Sequence, residues 1–493
     1  MNLSTPHFCV IKLPSSANKS MIKFFNDKGF WQNVVKLSFP VMLQNLLTGS
    51  FTLADTLLVS SLGTVSLSSV GMAGQWSWLM NMIIIGFCSG TTLFVSQYWG
   101  IKDMKKIRHV SGISILFAFG ISLTFTIVSV ALPNLVVRMF NSNQDVVSTG
   151  SEYLSVVAFS YIPIAMTNIL AAILRSVENV KLPMYASLLT TVLNIFLDYA
   201  MIFGKFGFSK MGVRGAALAT VISAWAGLAV IVVISLIKKN VLVKKSKEIF
   251  QFTGKEIVYY VKKSAPVVLN EGMWGLGTFV YNIIFGNMGY EYFSALTIVR
   301  SFENIAFVMF IGICSASSVM LGKSIGRGMI DRGLVDSKRF MVIVSTLAVI
   351  VATLIVVFRA QLVSIFNMGS NISDLAINTA QTLMAIYAVA FPFRMLPYLE
   401  IVSVFRSGGD TVTGAKYELS CLWLMSIPAT LIAVHVFKAP FAAAFAVMYI
   451  FEDIPKNILC LKFYKSMKWI KPVTKEGRQA LDEYLRKEKK NVR

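Results

Sequence analysis

The chain has 493 residues, 55% of them hydrophobic and only 14% charged, with a mean hydropathy of +0.67. A water-soluble domain carries roughly 25% charged residues, so this balance points to lipid as the solvent. The net charge of +22 lies in short segments between apolar runs, not on one basic face, which argues against a nucleic-acid partner. The apolar runs are long and unbroken, not alternating, which excludes a transmembrane barrel.

Only helices can then satisfy their own backbone in hydrocarbon. Residues 1–20 are polar and patternless and carry no cleavable leader; Met21 is an alternative start. Runs long enough to cross a bilayer, about 20 residues each, follow in order. The first six cover 37–62, 67–94, 110–137, 153–174, 182–203 and 213–237. Six more cover 265–288, 293–321, 340–358, 375–405, 419–437 and 441–463.

Alternate loops are basic: Lys102, Lys105, Lys106 and Arg108; Arg175 and Lys181; Lys238, Lys239, Lys244, Lys245 and Lys247; Lys323, Arg327, Arg332, Lys338 and Arg339. Both termini are basic too, from Lys19, Lys23 and Lys28 to Arg486, Lys487, Lys489 and Lys490. The positive-inside rule places both in the cytoplasm of a cell-membrane protein, as an even number of spans requires. Lys205, Lys210 and Arg214 make one outer loop a weak exception.

The two halves repeat. Pro40 and Pro266 are 226 residues apart, and that offset pairs Leu43 with Leu269, Gly49 with Gly275, Thr52 with Thr278 and Gly63 with Gly289. It continues through Ser68 and Ser294, Gly86 and Gly312, Cys88 and Cys314, Ser89 and Ser315, Gly100 and Gly326, to Phe140-Asn141 and Phe366-Asn367. Six spans separate equivalent helices, so both halves enter the membrane in the same direction. The expected fold is all-α: twelve transmembrane helices in two six-helix lobes related by a pseudo-two-fold axis along the membrane normal. Its parts are a cytoplasmic N-terminal segment 1–33, an N-lobe 34–237, a linker 238–263, a C-lobe 264–464 and a basic cytoplasmic tail 465–493.

Charges within the runs are expensive in lipid and mark function. Asp55 and Asp198 fall at similar depth in the outer half, with Asn194 one turn from Asp198 on the same helix face and Thr220 able to reach that level. Two neighbouring carboxylates disfavour double ionisation, so a proton or a cation belongs between them, and oxygen ligands from Asp, Asn and Thr suit Na⁺. The bland alternative is that each acid caps or hydrogen-bonds within the bundle. In the second half, Glu271, Arg394 and Glu400 are candidates to face a C-lobe cavity, or to form structural ion pairs. Glu303 and Glu452-Asp453 complete the intramembrane acids, and His435 reads as interfacial. Cys9, Cys88, Cys314, Cys421 and Cys460 are scattered without metal spacing. Twenty-four Met and thirty-six Phe suit promiscuous apolar binding but are also ordinary membrane-core residues.

FPVMLQNLLTGSFTLADTLLVSSLG, residues 39–63, resembles the first helix of the multidrug and toxic compound extrusion (MATE) transporters. LNIFLDYAMIFGKFG at 193–207 and GAALAT at 215–220 look like that family's fifth and sixth helices, and Arg175-Ser176 and Arg406-Ser407 resemble its arginine-bearing loops. The resemblance implies an N-lobe cation site at Asp55, Asn194, Asp198 and Thr220, and alternating access driven by H⁺ or Na⁺. The second half departs. The position eight beyond Pro266 is Trp274, with Glu271 one turn earlier; Met395 stands where NorM-like members carry an aspartate, and Thr48 replaces a glutamine. A DinF-like arrangement, without the NorM-type C-lobe cation site, fits these residues better.

The expected function is therefore multidrug efflux of cationic or amphiphilic compounds in exchange for H⁺ or Na⁺, with no other cofactor and no enzymatic activity. Expected partners are membrane lipids and small organic substrates, for a monomer. A major-facilitator antiporter shares the parallel repeat, but Gly100-Ile101-Lys102-Asp103 lacks that family's acidic-arginine loop. A lipid-linked oligosaccharide flippase shares the MATE ancestry, with extra spans and a cavity richer in arginine. A membrane enzyme finds no HExxH or GxSxG to support it.

Overall fold

A computed structural model describes residues 27–140, 143–240, 248–367 and 373–491. The N-terminal lysines Lys19 and Lys23, Cys9, the alternative start at Met21, Asn141 and the linker lysines Lys244, Lys245 and Lys247 lie outside them. Twelve long helices follow one another: α1 Lys28–Ser60, α2 Thr64–Gly100, α3 Met104–Ala131, α4 Gln144–Ser176, α5 Lys181–Phe203 and α6 Gly212–Ile237. The second set is α7 Gly254–Gly286, α8 Tyr290–Gly326, α9 Ile330–Asn367, α10 Asp374–Gly408, α11 Thr413–His435 and α12 Phe441–Lys465. An amphipathic α13, Lys475–Asn491, ends the described chain.

Nine of these helices are long and apolar enough to cross a membrane on length and composition alone, among the described residues. The other three, α1, α7 and α12, are diluted by polar residues such as Gln44, Asn45, Glu271, Glu452 and Lys456. These side chains face a cavity between the lobes instead of lipid, so their cost is not a lipid cost.

The repeat is visible in the helices themselves. α1 and α7 both run 33 residues and start 226 apart; α2 and α8 both run 37 and start 226 apart. Pro40 and Pro266 occupy the same turn of their helices. The packing obeys the two-fold as well. A methyl group at Gly86 would strike Val268, and one at Gly312 would strike Met42, the equivalent pair with the lobes exchanged. Gly100 against Lys323 and Gly326 against Gln97 are exchanged in the same way. Gly322 against Ser96 maps onto itself, so the pseudo-axis passes through that contact. Small residues here let backbones approach closely, as helix pairs in lipid require.

The lobes meet on the face that carries both described ends. There Tyr260 of α7 enters the N-lobe, its hydroxyl bonding with Thr91 at 2.9 Å, and Lys323 pairs with Glu178. Glu256 opens α7 as a capping box with Thr253 and reaches Lys106 at 2.6 Å and His109 at 3.1 Å on α3. Burial pushes the Glu256 carboxyl up, but Lys106, the Thr253 amide and His109 outweigh it and hold it at about 2. Toward the other face the symmetry breaks: Gly275 packs on Trp78, whereas its equivalent, Gly49, has nothing within 4 Å.

The tail segment is a strap, not a loose end. Trp469 is fully buried, Val473 N–H donates to Gln97 Oε1 at 2.8 Å, and Thr474 Oγ1 donates to Gly326 O at 2.8 Å. Gln97 Nε2 in turn donates to Ser407 O at 2.8 Å. One N-lobe glutamine thus holds α10 and the strap together.

Candidate coupling site and central cavity

Asp55 sits one and a half turns before the end of α1, and α5 runs alongside. Asn194 and Asp198 are fully buried on the α5 face that meets α1 and α6. The two carboxylates lie within electrostatic reach of each other. Asp55 Oδ1, both Asn194 side-chain atoms and both Asp198 oxygens are buried without a protein hydrogen-bond partner. Such groups are costly unless something accompanies them, so the donor set, carboxylate and amide oxygens, suits a proton or a small hard cation. Thr220 spends its hydroxyl on Ala216 O at 3.1 Å within α6, leaving only its lone pairs to offer.

Tyr153 of α4 is within electrostatic reach of both Asp55 and Asp198 and is 7% exposed. Residue type alone does not single it out, since tyrosines near helix ends are ordinary interfacial anchors. Its place at the start of the fourth run, at the depth of the two acids, was the available signal.

The second-half candidates separate. Glu271 and Arg394 both line a cavity of about 590 Å³ between the lobes, but they do not pair. Glu271 Oε1 pairs with Arg406 Nη2 at 2.9 Å, and Arg406 Nη1 also donates to Ser89 Oγ of α2 at 3.3 Å. The Arg394 guanidinium stacks over Tyr449 at 5.4 Å. Within its electrostatic reach are Asp453, Glu303 and Glu452.

Glu400 does not line the cavity. Arg394, Tyr398 and Ile401 define the cavity face of α10, and two residues past Tyr398 the helix has turned through about 200°. Glu400 is fully buried on the far side, both oxygens unpartnered, where a π-helical stretch, Glu400–Phe405, begins. On α12, Lys456 Nζ bridges Glu452 and Asp453 at 3.0 Å each.

A second cavity of about 420 Å³ lies between α10 and α12, lined by Ala385, Val389 and Ile450 with Asp453 at its edge. Val389 and Phe393 are more than half exposed there, so this groove belongs to the outer, lipid-side surface of the bundle.

Two parallel-repeat lobes around a polar central cavity, with acids buried and unpartnered inside the bundle, define a membrane transporter. The family model MatE matches twice, at residues 40–200 and 266–432, once per lobe. The chain belongs to the MATE family. It is 26% identical over 441 residues to the Probable multidrug resistance protein NorM of Thermotoga maritima, covering 89% of this chain and 93% of the relative. It is also 26% identical over 453 residues to the Uncharacterized transporter YisQ of Bacillus subtilis, covering 90% and 96%. Among solved structures, an outward-facing multidrug resistance MATE family transporter superposes with a TM-score of 0.79 at 20% identity, covering 88% of this chain and 96% of that one. A MOP superfamily transporter from Pyrococcus furiosus, described as having a binding pocket of reverse polarity, does so equally at 0.79 and 20%.

Proposed function

We propose that this protein is a secondary active exporter that expels amphiphilic organic compounds in exchange for H⁺ or Na⁺ at Asp55, Asn194 and Asp198, with both termini cytoplasmic. The reading rests above all on the buried, partnerless oxygens of that trio. Two carboxylates in a water-poor interior repel each other, and a proton or Na⁺ arriving from the open face relieves the repulsion. α1 and α5, which carry the acids, then repack, and release of the ion on the other side resets them. Substrate binds in the central cavity, whose volume suits a drug-sized molecule. Met395, fully buried where an acid would be needed, argues for a branch without a NorM-type C-lobe ion site. The chain works as a monomer in this scheme, since each ion and substrate site is complete within it.

Efflux of a fluorescent amphiphile from proteoliposomes, with pH and Na⁺ gradients imposed separately, tests the scheme. Asp55→Asn and Asp198→Asn are each expected to abolish gradient-driven efflux while the protein stays folded. Full transport in either variant moves the coupling site elsewhere. A flippase for an anionic lipid-linked substrate is the second reading, favoured by the four basic residues on the cavity wall and by the relative with a reversed pocket polarity. Efflux of a water-soluble dye by the purified protein decides against it.

A further inference from the structure

The two walls of the central cavity differ in charge. The C-lobe wall carries Arg394, Arg406 and Lys456 together with Glu271, Glu418 and Glu452. Arg406 pairs with Glu271, Lys456 with Glu452, and Arg394 lies among Glu303, Glu452 and Asp453, so that wall is internally compensated. The N-lobe wall carries no acid. Its polar members are the amides Gln44, Asn45, Asn81 and Asn168, with Thr48, and its one charge is Arg175. The guanidinium of Arg175 makes one hydrogen bond, from Nη1 to Gln44 Oε1 at 3.2 Å, and no ion pair with a carboxylate among the described residues. The ionisable group that reaches it electrostatically is the Cys88 thiol. Four of its five N–H donors are therefore uncommitted, on a half-buried side chain at a cavity of 590 Å³. An acceptor-only group fits such a wall, and arginine receives a planar or tetrahedral oxyanion in two parallel bonds.

We propose that the N-lobe wall, Arg175 with Gln44, Asn45, Asn81 and Asn168, is a subsite for an anionic group, so the transported amphiphiles bear a carboxylate, sulfonate or phosphate at the end that docks there. Their apolar body lies between Met82 and Ile85 on one side and Trp274 and Phe307 on the other. A zwitterion fits in one orientation only, its cation toward the compensated wall, where Asn270 Nδ2 donates to Glu418 Oε2 at 2.7 Å. This inference rests on the export reading for its site, but it concerns recognition and is tested by binding.

The probe is a fluorescent amphiphilic dye bearing a free carboxylate, compared with its methyl ester, titrated against the purified full-length protein by fluorescence anisotropy. Wild type binds the acid more tightly than the ester. In Arg175→Gln that preference falls roughly tenfold or more, as loss of a charge-assisted bond implies, and Arg175→Lys retains part of it. The ratio of two ligands on one sample is insensitive to the fraction folded. An equal ratio in wild type and Arg175→Gln, or preference for the ester in wild type, overturns the proposal. Competition by phosphatidylglycerol but not phosphatidylcholine, lost in Arg175→Gln, assigns the anion to a lipid headgroup. Indifference to both lipids assigns it to the soluble compound. Binding with this preference but no efflux under any gradient sinks the export scheme and leaves the subsite standing.

Discussion

Asp198 and Asn194 are fully buried with four side-chain oxygen and nitrogen atoms unpartnered, and at the residue scale this arrangement opposes stability. A buried polar group without its hydrogen bond costs about 1–3 kcal/mol. Asp198→Leu is therefore expected to raise the melting temperature in Na⁺-free detergent while eliminating coupled efflux. A fall in melting temperature would mean that the carboxylate is stabilised by a partner. Both acids were legible in the sequence because a carboxylate in an apolar run has few bland explanations. The pairing of Glu271 with Arg406 was not, since 135 positions separate them and only the lobe's folding selects Arg406 over Arg394. Glu400 differs from expectation for a related reason: its place on the cavity was expected, but the helical turn that directs it to the far side of α10 is a matter of two residues.

At the scale of elements, the linker and the strap seal one face. Glu256 binds Lys106 and His109 with its carboxyl held at about 2, below its ordinary value of 4.5. A carboxyl depressed in the folded state stabilises above its unfolded value and loses that effect as pH falls toward the folded one. The difference in thermal stability between wild type and Glu256→Gln should thus be constant from pH 7 to about 5. It should shrink only as pH drops from about 4.5 toward 2. A difference that vanished near neutrality would show that the Glu256 carboxyl is not the group that titrates.

The strap lends itself to a sharper measurement. Gln97 and Val473 are bonded across the junction, so a Gln97→Cys, Val473→Cys pair linked by a bifunctional methanethiosulfonate reagent should be arrested in transport and released on reduction. Undiminished transport by the cross-linked pair would mean that the strap travels with the N-lobe. The helices themselves could be read from apolar run length. The strap could not, because its mean hydropathy is low, and one buried tryptophan among lysines gives no periodic signal.

At the scale of the whole molecule, the lobes are packed glycine to backbone at this junction. A methyl group at Gly326 would stand 2.2 Å from Gln97 O, and one at the equivalent Gly100 would stand 2.5 Å from Lys323 O. Gly326→Ala and Gly100→Ala are each expected to push the lobes apart here, raising thiol labelling of a cysteine introduced at Ser407. The two effects should be similar, because the contacts are exchanged by the two-fold. A large effect from one and none from the other would show that the axis does not govern the rearrangement. The axis was legible in the sequence because Gly, Pro and Cys recur at one spacing. The gap at Gly49 beside the packed Gly275 was not, since the residues are identical and only the neighbouring helices differ.

The contact on the axis itself carries a historical implication. In an assembly of two identical chains, an axis runs between a residue and its own copy. Here the equivalent positions hold Ser96 and Gly322, and a side chain on the second would reach within 2.0 Å of the Ser96 hydroxyl. Two serines would collide and two glycines would leave a void, so neither identical pair reproduces this fit. A serine against a glycine requires that the two halves be free to mutate separately, which identical subunits from one gene are not. The asymmetric fit of the lobes at their centre, a serine seated on a glycine, is thus one that a symmetric dimer could not have made, and that duplication within one reading frame made accessible.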